Sequence, residues 1–296
     1  MQQPDWLDRE EYPFTSSWWQ VNGVRQHYID VGQGDPVVFV HGTPSWSFDF
    51  RHVIRLLSAT HRCIAVDHIG FGLSDKPTVY DYSTQRHAET LSRFIDHKGL
   101  SGVTLVLHDF GGPIGMKYAI DHADNIRQII ILNSWIGSSE NDPEFERFSK
   151  ILRSPLLPFL YHYLNFSPRF LLPQSFGDKK LSRKLLKQFT SPFQKSSERH
   201  GPLAFARSLL HDQPWFEELW QDRVVLHSTP MLLIWGLKDK FVTTRYLDRF
   251  MEGFPLARVV RLETCGHFPQ EEEPELVAGA IADFVKAQKG NPTPTL

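Results

Sequence analysis

The amino-acid sequence predicts an α/β fold, in which a mostly parallel central sheet has helices on both faces and an inserted helical cap. Short apolar segments of strand length alternate with helix-like segments up to about residue 137. The alternation stops between about 138 and 225, where apolar residues have helix-like spacing and no strand-like run occurs. It then resumes. We therefore predict a core of residues 1–137 and 226–296 and a helical cap domain of residues 138–225.

The predicted strands begin with a hairpin. Alternating segments at 17–21 and 25–30 flank Asn22-Gly23, which is typical of a tight turn between antiparallel edge strands. The apolar runs that come next are mostly continuous, as in strands that are buried on both faces. Further strands are predicted at 37–40, 63–66, 103–107, 129–132, 231–235 and 258–262.

Helical segments separate these strands. The clearest covers about 83–98, where Ala88, Leu91, Phe94 and Ile95 recur on one helix face and Gly99 ends the pattern. Other helices are predicted at about 48–57, after Gly112, and at about 275–286. In the last of these we expect Leu276, Ile281 and Phe284 to be buried.

Composition narrows the class of protein. A hydrophobic share of 41%, a charged share of 22% and a net charge of −2 are ordinary for a globular protein and indicate neither a nucleic-acid nor a membrane partner. The two cysteines, Cys63 and Cys265, have no zinc or redox spacing. The N-terminus lacks the features of a signal peptide, so we expect a cytoplasmic protein. We expect it to be a monomer or a dimer. The tail 290–296 is expected to fray.

The central chemical feature is Asp109. It follows an apolar strand and precedes Gly111-Gly112 and a helix, so its carboxylate is predicted to point outward from a sharp turn. This geometry is that of a nucleophile elbow, with Asp at the nucleophile position. The alternative is that Asp109 only caps the following helix.

Two further residues complete a possible catalytic set. Asp239 and His267 also follow predicted strands, and the carboxyl ends of parallel strands lie along one edge of a sheet. The tight turn His41-Gly42-Thr43-Pro44 follows another strand and exposes backbone N–H groups, so it can supply half of an oxyanion hole. It also has the plainer interpretation of an ordinary strand-to-helix turn.

These segments together resemble the α/β-hydrolase superfamily over most of the chain, and more narrowly its haloalkane dehalogenase branch. An apolar residue two positions before the nucleophile, here Leu107, is typical of that branch, whereas epoxide hydrolases usually have glycine there. The motifs are His41-Gly-Thr-Pro-Ser-Trp46, Asp67-His-Ile-Gly-Phe-Gly-Leu-Ser-Asp-Lys-Pro77, His108-Asp-Phe-Gly-Gly112, Gly236-Leu-Lys-Asp-Lys240 and Gly266-His-Phe268.

The resemblance implies a two-step hydrolysis without a cofactor. Asp109 attacks a saturated carbon of a small apolar substrate and forms an ester with it. His267, oriented by Asp239, then activates a water molecule that hydrolyses this ester. The backbone N–H groups of Thr43 and Phe110 are implied as the oxyanion hole.

Two positions depart from the family pattern. Haloalkane dehalogenases usually have Trp directly after the nucleophile as a halide donor, and this chain has Phe110. A second donor is often Asn in the turn that here contains Thr43, or a cap Trp that is absent from residues 175–178. A departing halide would lose its usual hydrogen bonds.

Several interpretations therefore remain. Alternatives within the fold are a β-lactone decarboxylase and an epoxide hydrolase, the latter using Tyr161 or Tyr163 of the cap as donors. An interpretation from another class is a non-catalytic ligand-binding relative. The presence of Asp109, Asp239 and His267 argues against it, because such a protein does not need all three. We expect the cap to cover an apolar pocket with Asp109 at its floor, and Phe110, Trp135 and Phe176 as wall residues.

Overall fold

A computed structural model describes residues 4–140 and 142–289, so the predicted frayed tail 290–296 lies outside the described residues. Its centre is an eight-stranded sheet with the order β1-β2-β4-β3-β5-β6-β7-β8. The strands β1 and β2 form the predicted antiparallel hairpin, and β2 also pairs antiparallel with β4, so β2 alone runs against the direction of the other seven strands. The strands are β1 Ser17–Val21, β2 Val24–Val31, β3 Pro36–Val40, β4 Arg62–Val66, β5 Val103–Asp109, β6 Ile126–Ser134, β7 Met231–Gly236 and β8 Arg258–Leu262.

The helices lie on both faces of this sheet, which confirms the predicted fold class. Successive strand residues point to opposite faces, so Val38 and Val40 join one buried apolar cluster while Val37 and Phe39 join the other. The helices are α1 Arg51–Leu57, α2 Thr84–His97, α3 Gly111–Asp121, α4 Pro143–Leu152, α5 Leu157–Leu164, α6 Leu172–Gln174, α7 Arg183–Thr190, α8 His200–His211, α9 Gln213–Asp222, α10 Thr244–Gly253, α11 Pro269–Glu272 and α12 Pro274–Lys289.

The helices α4 to α9 all lie between β6 and β7, and no described residue from 138 to 225 is in a strand. We call residues 138–225 the inserted segment. Within the described residues, none of the helices combines the length and apolar character that crossing a bilayer requires.

One predicted burial is wrong. Leu276 is exposed, whereas Val277, Ile281 and Phe284 face the core. The helix α12 buries residues spaced by about four and then three positions, and Leu276 is rotated away from that stripe by roughly 100°.

The turn after β5 is held by close backbone packing. Asp109 has a φ of +50°, a conformation that residues with a Cβ rarely adopt. A Cβ at Gly111 would collide with the carbonyl oxygen of Val40, and one at Gly112 would collide with the hydroxyl of Ser134. The helix α3 can therefore begin directly against the sheet only because both residues are glycine.

Leu107 is accommodated by a glycine one turn into the helix. Its side chain occupies the space where a Cβ of Gly115 would lie, and it is fully buried. A large residue thus replaces the first glycine of the usual elbow motif because Gly115 provides the room.

The substitution Gly115→Ala is expected to destabilise the fold. Alanine forms helices better than glycine by about 1 kcal/mol, so a net loss of about 1–3 kcal/mol in the free energy of unfolding would measure the collision with Leu107. In urea denaturation the pair Leu107→Ala with Gly115→Ala should lose less than the sum of the single losses.

The matched control is Gly279→Ala in α12, where nothing lies within 4 Å of the added Cβ. It should leave stability unchanged or improve it by up to about 1 kcal/mol. Equal effects at the two glycines would show that Leu107 does not need this space.

Candidate active site

Asp109 lies at the carboxyl end of β5 with both carboxylate oxygens engaged. Its Oδ2 accepts a hydrogen bond of 2.7 Å from the backbone N–H of Thr43, and its Oδ1 is 3.6 Å from Nε2 of His267. Its backbone carbonyl accepts a hydrogen bond of 2.6 Å from the Ser134 hydroxyl. The residue is only 6% exposed, so the oriented carboxylate has little contact with bulk water.

His267 follows β8 and lies between two carboxylates. Its Nδ1 is 2.6 Å from Oδ2 of Asp239, on the opposite side of the ring from Asp109. The structure thus brings together the three residues that the sequence singled out from separate strand ends. The order is Asp109, His267, Asp239 in space.

Asp239 is held by the turn after β7. Its Oδ1 accepts hydrogen bonds from the backbone N–H groups of Phe241 and Val242, at 2.8 and 3.1 Å. Its Oδ2 accepts a further bond of 2.9 Å from the amide of Asn133, which lies at the carboxyl end of β6. Asn133 also bonds both backbone polar groups of Gly236, so it ties the ends of two neighbouring strands to the acid.

The loop that carries His267 is fixed from two sides. His108 donates from Nε2 to the carbonyl oxygen of His267 at 2.7 Å. Glu272 is buried and accepts from the backbone N–H groups of Gly266 and Gly177, at 2.7 and 2.8 Å. Glu272 therefore joins the histidine loop to the inserted segment.

These supporting residues were not predicted from the sequence. Glu272 lies in the run Glu271-Glu272-Glu273, which is typical of a solvated helix start. His108 is only the residue before the proposed nucleophile, and nothing in its local pattern indicates contact with a residue 159 positions later. Among the supporting residues only Asn133 could be noticed from the sequence, because it directly follows the predicted buried strand 129–132.

The turn containing Thr43 approaches the carboxylate closely. A Cβ on Gly42 would overlap the side chain of Asp109, so glycine is required there. His41 stabilises the turn, because its Nδ1 is 2.7 Å from the Gly42 carbonyl and its Nε2 accepts from the backbone N–H of His68 at 3.0 Å.

A cavity of about 360 Å³ opens above Asp109. Most of its wall is apolar, and the inserted segment supplies much of its roof. The lining residues are Thr43, Pro44, Asp109, Phe110, Trp135, Ser139, Phe145, Arg147, Phe148, Ile151, Tyr161, Ser167, Leu171, Leu172, Ser175, Ala206, Leu209, Lys240, Phe241, Val242, Tyr246, His267 and Phe268.

Two of the three predicted wall residues line this cavity. Phe110 packs between Trp135, at a ring distance of 4.9 Å, and Phe205 of α8, at 4.4 Å. Phe176 is not among the lining residues, which corrects the expectation. It stacks on the far side of Phe268, at 5.6 Å, so Phe268 stands between it and the cavity.

Two lining residues carry polar hydrogens without a partner. The Thr43 hydroxyl is buried and makes no hydrogen bond with a described residue. The indole N–H of Trp135 likewise has no partner among the residues described. Both residues line the cavity that contains Asp109, which makes their donor groups candidates for a hydrogen bond to a ligand there.

The charges of the site shift two pKa values in opposite directions. Burial tends to raise the pKa of Asp109, but the neighbouring His267 and the backbone N–H of Thr43 hold it below its usual value. Burial tends to lower the pKa of His267, but Asp239 and Asp109 raise it to about 10. At neutral pH the resting site is therefore a histidine cation between two carboxylates.

This arrangement suits nucleophilic chemistry at carbon. An ionised, oriented carboxylate faces an apolar cavity, and a histidine at its side can exchange a proton with water. The N–H of Thr43 already binds a carboxylate oxygen, where a tetrahedral oxyanion would also form.

The chain is similar to known proteins over nearly its whole length. A family model described as alpha/beta hydrolase fold matches residues 35–274. Haloalkane dehalogenase 2 of Mycobacterium tuberculosis is 32% identical, over 93% of this chain and 96% of that protein. A cis-3-alkyl-4-alkyloxetan-2-one decarboxylase of Shewanella oneidensis is 31% identical, over 92% and 89%. The crystal structure of haloalkane dehalogenase DatA from Agrobacterium tumefaciens has a TM-score of 0.83 and 27% identity, over 93% and 97%.

The titration of His267 should depend on both carboxylates. We expect NMR of the ring to give a pKa near 10, and either Asp109→Asn or Asp239→Asn to lower it, because each removes a stabilising negative charge. Since the folded pKa exceeds the unfolded value of 6.5, the stability that the raised pKa of His267 contributes while both carboxylates are ionised is present below about pH 6.5 and is lost as pH rises through about 10.

The exposed Asp178→Asn is the matched control and should leave the His267 titration unchanged. A wild-type His267 that titrates near pH 6.5 would contradict the charge arrangement.

Proposed function

The chain belongs to the α/β-hydrolase family, in its haloalkane dehalogenase-like branch, and from that premise we propose that Asp109 is the nucleophile of this hydrolase. The substrate is a small or medium apolar molecule with an electrophilic saturated carbon, and haloalkanes are the class that we favour. The observation that carries the proposal is the Asp109 carboxylate at the floor of an apolar cavity, bonded to Thr43 N–H and facing His267.

In the first step an oxygen of Asp109 attacks the carbon from the side opposite to the leaving group. The new C–O bond forms as the carbon–halogen bond breaks, and the halide leaves with the electron pair. The product is an alkyl ester of Asp109. A carboxylate suits this reaction, whereas its attack on an ester carbonyl would give an anhydride.

In the second step water cleaves the ester at its carbonyl carbon. His267 takes a proton from the water as it attacks, and the N–H groups of Thr43 and Phe110 stabilise the oxyanion. The intermediate then expels the alkoxide, which receives the proton from His267. The sum is haloalkane and water giving alcohol, halide and a proton.

The pKa of His267 links the two steps. Ester formation removes the charge of Asp109, which is one of the two carboxylates that raise this pKa. His267 then releases its proton more easily and becomes a base at the stage where a base is needed. Alkylation itself needs only ionised Asp109, whose pKa is lowered.

The free donors in the cavity supply hydrogen bonds to the leaving group. The branch usually uses a Trp directly after the nucleophile, and Phe110 cannot replace it. We assign this role to the Thr43 hydroxyl and the Trp135 indole N–H, which border the cavity and have no partner among the described residues.

A second candidate substrate is a β-lactone, favoured by the 31% identity to the decarboxylase from Shewanella oneidensis. Asp109 attack on the ring carbon that bears the lactone oxygen opens the ring to a carboxylate. Loss of carbon dioxide then forms a C=C bond and expels the Asp109 carboxylate. This sequence consumes no water and does not need His267 as a base.

The remaining alternatives fit less well. Epoxide opening needs tyrosine donors, yet Tyr163 is 70% exposed and does not line the cavity. Tyr161 lines it, but burial raises the pKa of its hydroxyl, which makes it a weaker proton donor to an opening epoxide. A binding protein would have no use for the linked Asp109, His267 and Asp239.

The substitution His267→Phe should trap the ester. Because the variant lacks the base, incubation with a bromoalkane should add the mass of one alkyl group to the peptide that contains Asp109, detected by mass spectrometry. The double variant Asp109→Asn with His267→Phe is the control and should gain no mass. Persistent absence of an adduct with bromoalkanes, together with alkene release from a β-lactone, would favour the decarboxylase.

Removing a leaving-group donor should slow alkylation. A hydrogen bond to a charged group contributes about 1.5–3 kcal/mol, so Thr43→Val and Trp135→Phe should each slow halide release in single-turnover measurements roughly ten- to a hundredfold. Ester hydrolysis should change little, because the backbone N–H of Thr43 remains.

The matched controls are Thr90→Val and Trp215→Phe, which alter buried residues outside the cavity lining. Equal slowing by the controls, or none by the two cavity variants, would contradict this assignment of the donors.

A further inference from the structure

The inserted segment has an unusually apolar outer surface. Six large apolar side chains on and around α4 and α5 are exposed, Leu156 to 63%, Phe159 to 53% and Tyr163 to 70%. We call these six residues the apolar face, and they are Ile151, Leu156, Phe159, Tyr163, Leu164 and Phe170.

The helix α5 shows how this surface arises. Leu157 and Tyr161 pack inward, while Phe159 and Tyr163 point outward and lie 5.1 Å apart. A helix that is apolar on all sides is normally buried. The described residues cover only one side of α5. Exposed apolar surface of this kind marks a site of interaction.

The charges within the stretch of chain that carries the apolar face have one sign. Residues 147–174 contain no aspartate or glutamate. They contain four cations, Arg147, Lys150, Arg153 and Arg169, all exposed. None of the four forms an ion pair with an acidic residue that the structure describes. The net charge of −2 for the whole chain conceals this segregation.

The apolar face is continuous with the roof of the cavity. Ile151 belongs to both, and Tyr161 and Leu171 line the cavity from the same stretch of chain as Phe159 and Phe170. A surface that covers the face would therefore lie beside the roof above Asp109.

We propose that the apolar face docks on the surface of an anionic phospholipid bilayer. Aromatic and aliphatic side chains at the level of the headgroups, with unpaired lysine and arginine around them, are the combination that such a surface binds. The protein lies on the membrane and does not cross it. This differs from the expectation of no membrane partner, which rested on the total charge.

A second copy of the chain fits the face less well. A symmetric dimer through this face would bring the cations of residues 147–174 in both copies together, and like charges that face each other in an interface disfavour association. Phosphate headgroups instead provide the opposite charge along the whole rim.

The docking would give apolar substrates a short path from the lipid phase to the cavity. This consequence rests on the proposed function, whereas the docking itself does not, because it depends on the surface residues alone.

The test is flotation of the whole protein with vesicles. We expect it to float with phosphatidylcholine vesicles that contain phosphatidylglycerol, not with phosphatidylcholine alone, and to be released by salt. Binding should fall about tenfold or more in Phe159→Ser with Tyr163→Ser, and likewise in Lys150→Gln with Arg153→Gln. None of these four residues lines the cavity.

Matched controls come from other exposed sites. Val79→Ser with Leu256→Ser removes apolar side chains that are 92% and 84% exposed, and Lys187→Gln with Lys286→Gln removes two cations. Both controls should float like the wild type, and circular dichroism should show that every variant is folded.

Three results would overturn the proposal. They are absence of flotation at low salt, equal loss in the control variants, and a dimer that Phe159→Ser with Tyr163→Ser dissociates while vesicles never bind. These readouts contain no catalytic step, so they are independent of whether Asp109 forms an ester.

Discussion

The ion cluster Asp109–His267–Asp239 is the interaction on which the rest of the site depends. A histidine buried at 4% exposure would ordinarily be neutral, and the two flanking carboxylates keep it charged. Each carboxylate is in turn held by backbone N–H groups, Asp109 by Thr43 and Asp239 by Phe241 and Val242. The cluster is preorganised because the loop that carries His267 is hydrogen-bonded to His108 of β5, and Asn133 ties the acid to the end of β7.

Close approach of the backbone allows the cluster to form. Gly42, Gly111 and Gly112 each occupy a place where a Cβ would strike a neighbour, and the first of these neighbours is Asp109 itself. The buried pair Arg51–Glu271 connects α1 with the helix after His267, through bonds of 2.5 and 2.9 Å. Breaking such a pair would leave an uncompensated buried charge, so it holds the histidine loop in register.

The inserted segment has two surfaces with different chemistry. Its inner surface covers Asp109 with apolar residues and excludes water, which strengthens the electrostatic interactions of the cluster. Its outer surface exposes aromatic residues among cations that form no ion pair with a described acidic residue. Both surfaces follow from short helices that are apolar on more than one side. In a single layer of helices only the side that faces the core is buried, so the other apolar side stays exposed.

The sequence by itself determined the fold class and the three polar residues of the cluster, because strand and helix periods are local and parallel strands end at one edge. Only tertiary structure decided that Asn133 bonds Asp239, that Glu272 joins two loops, and that Phe176 lies behind Phe268. The Asn133–Asp239 and Gly177–Glu272 contacts join residues 106 and 95 positions apart, and the position of Phe176 depends on how the inserted segment packs on the core. No local sequence pattern encodes such long-range contacts. The hydrophobic period of a helix permits many orientations, and packing between distant elements selects one of them.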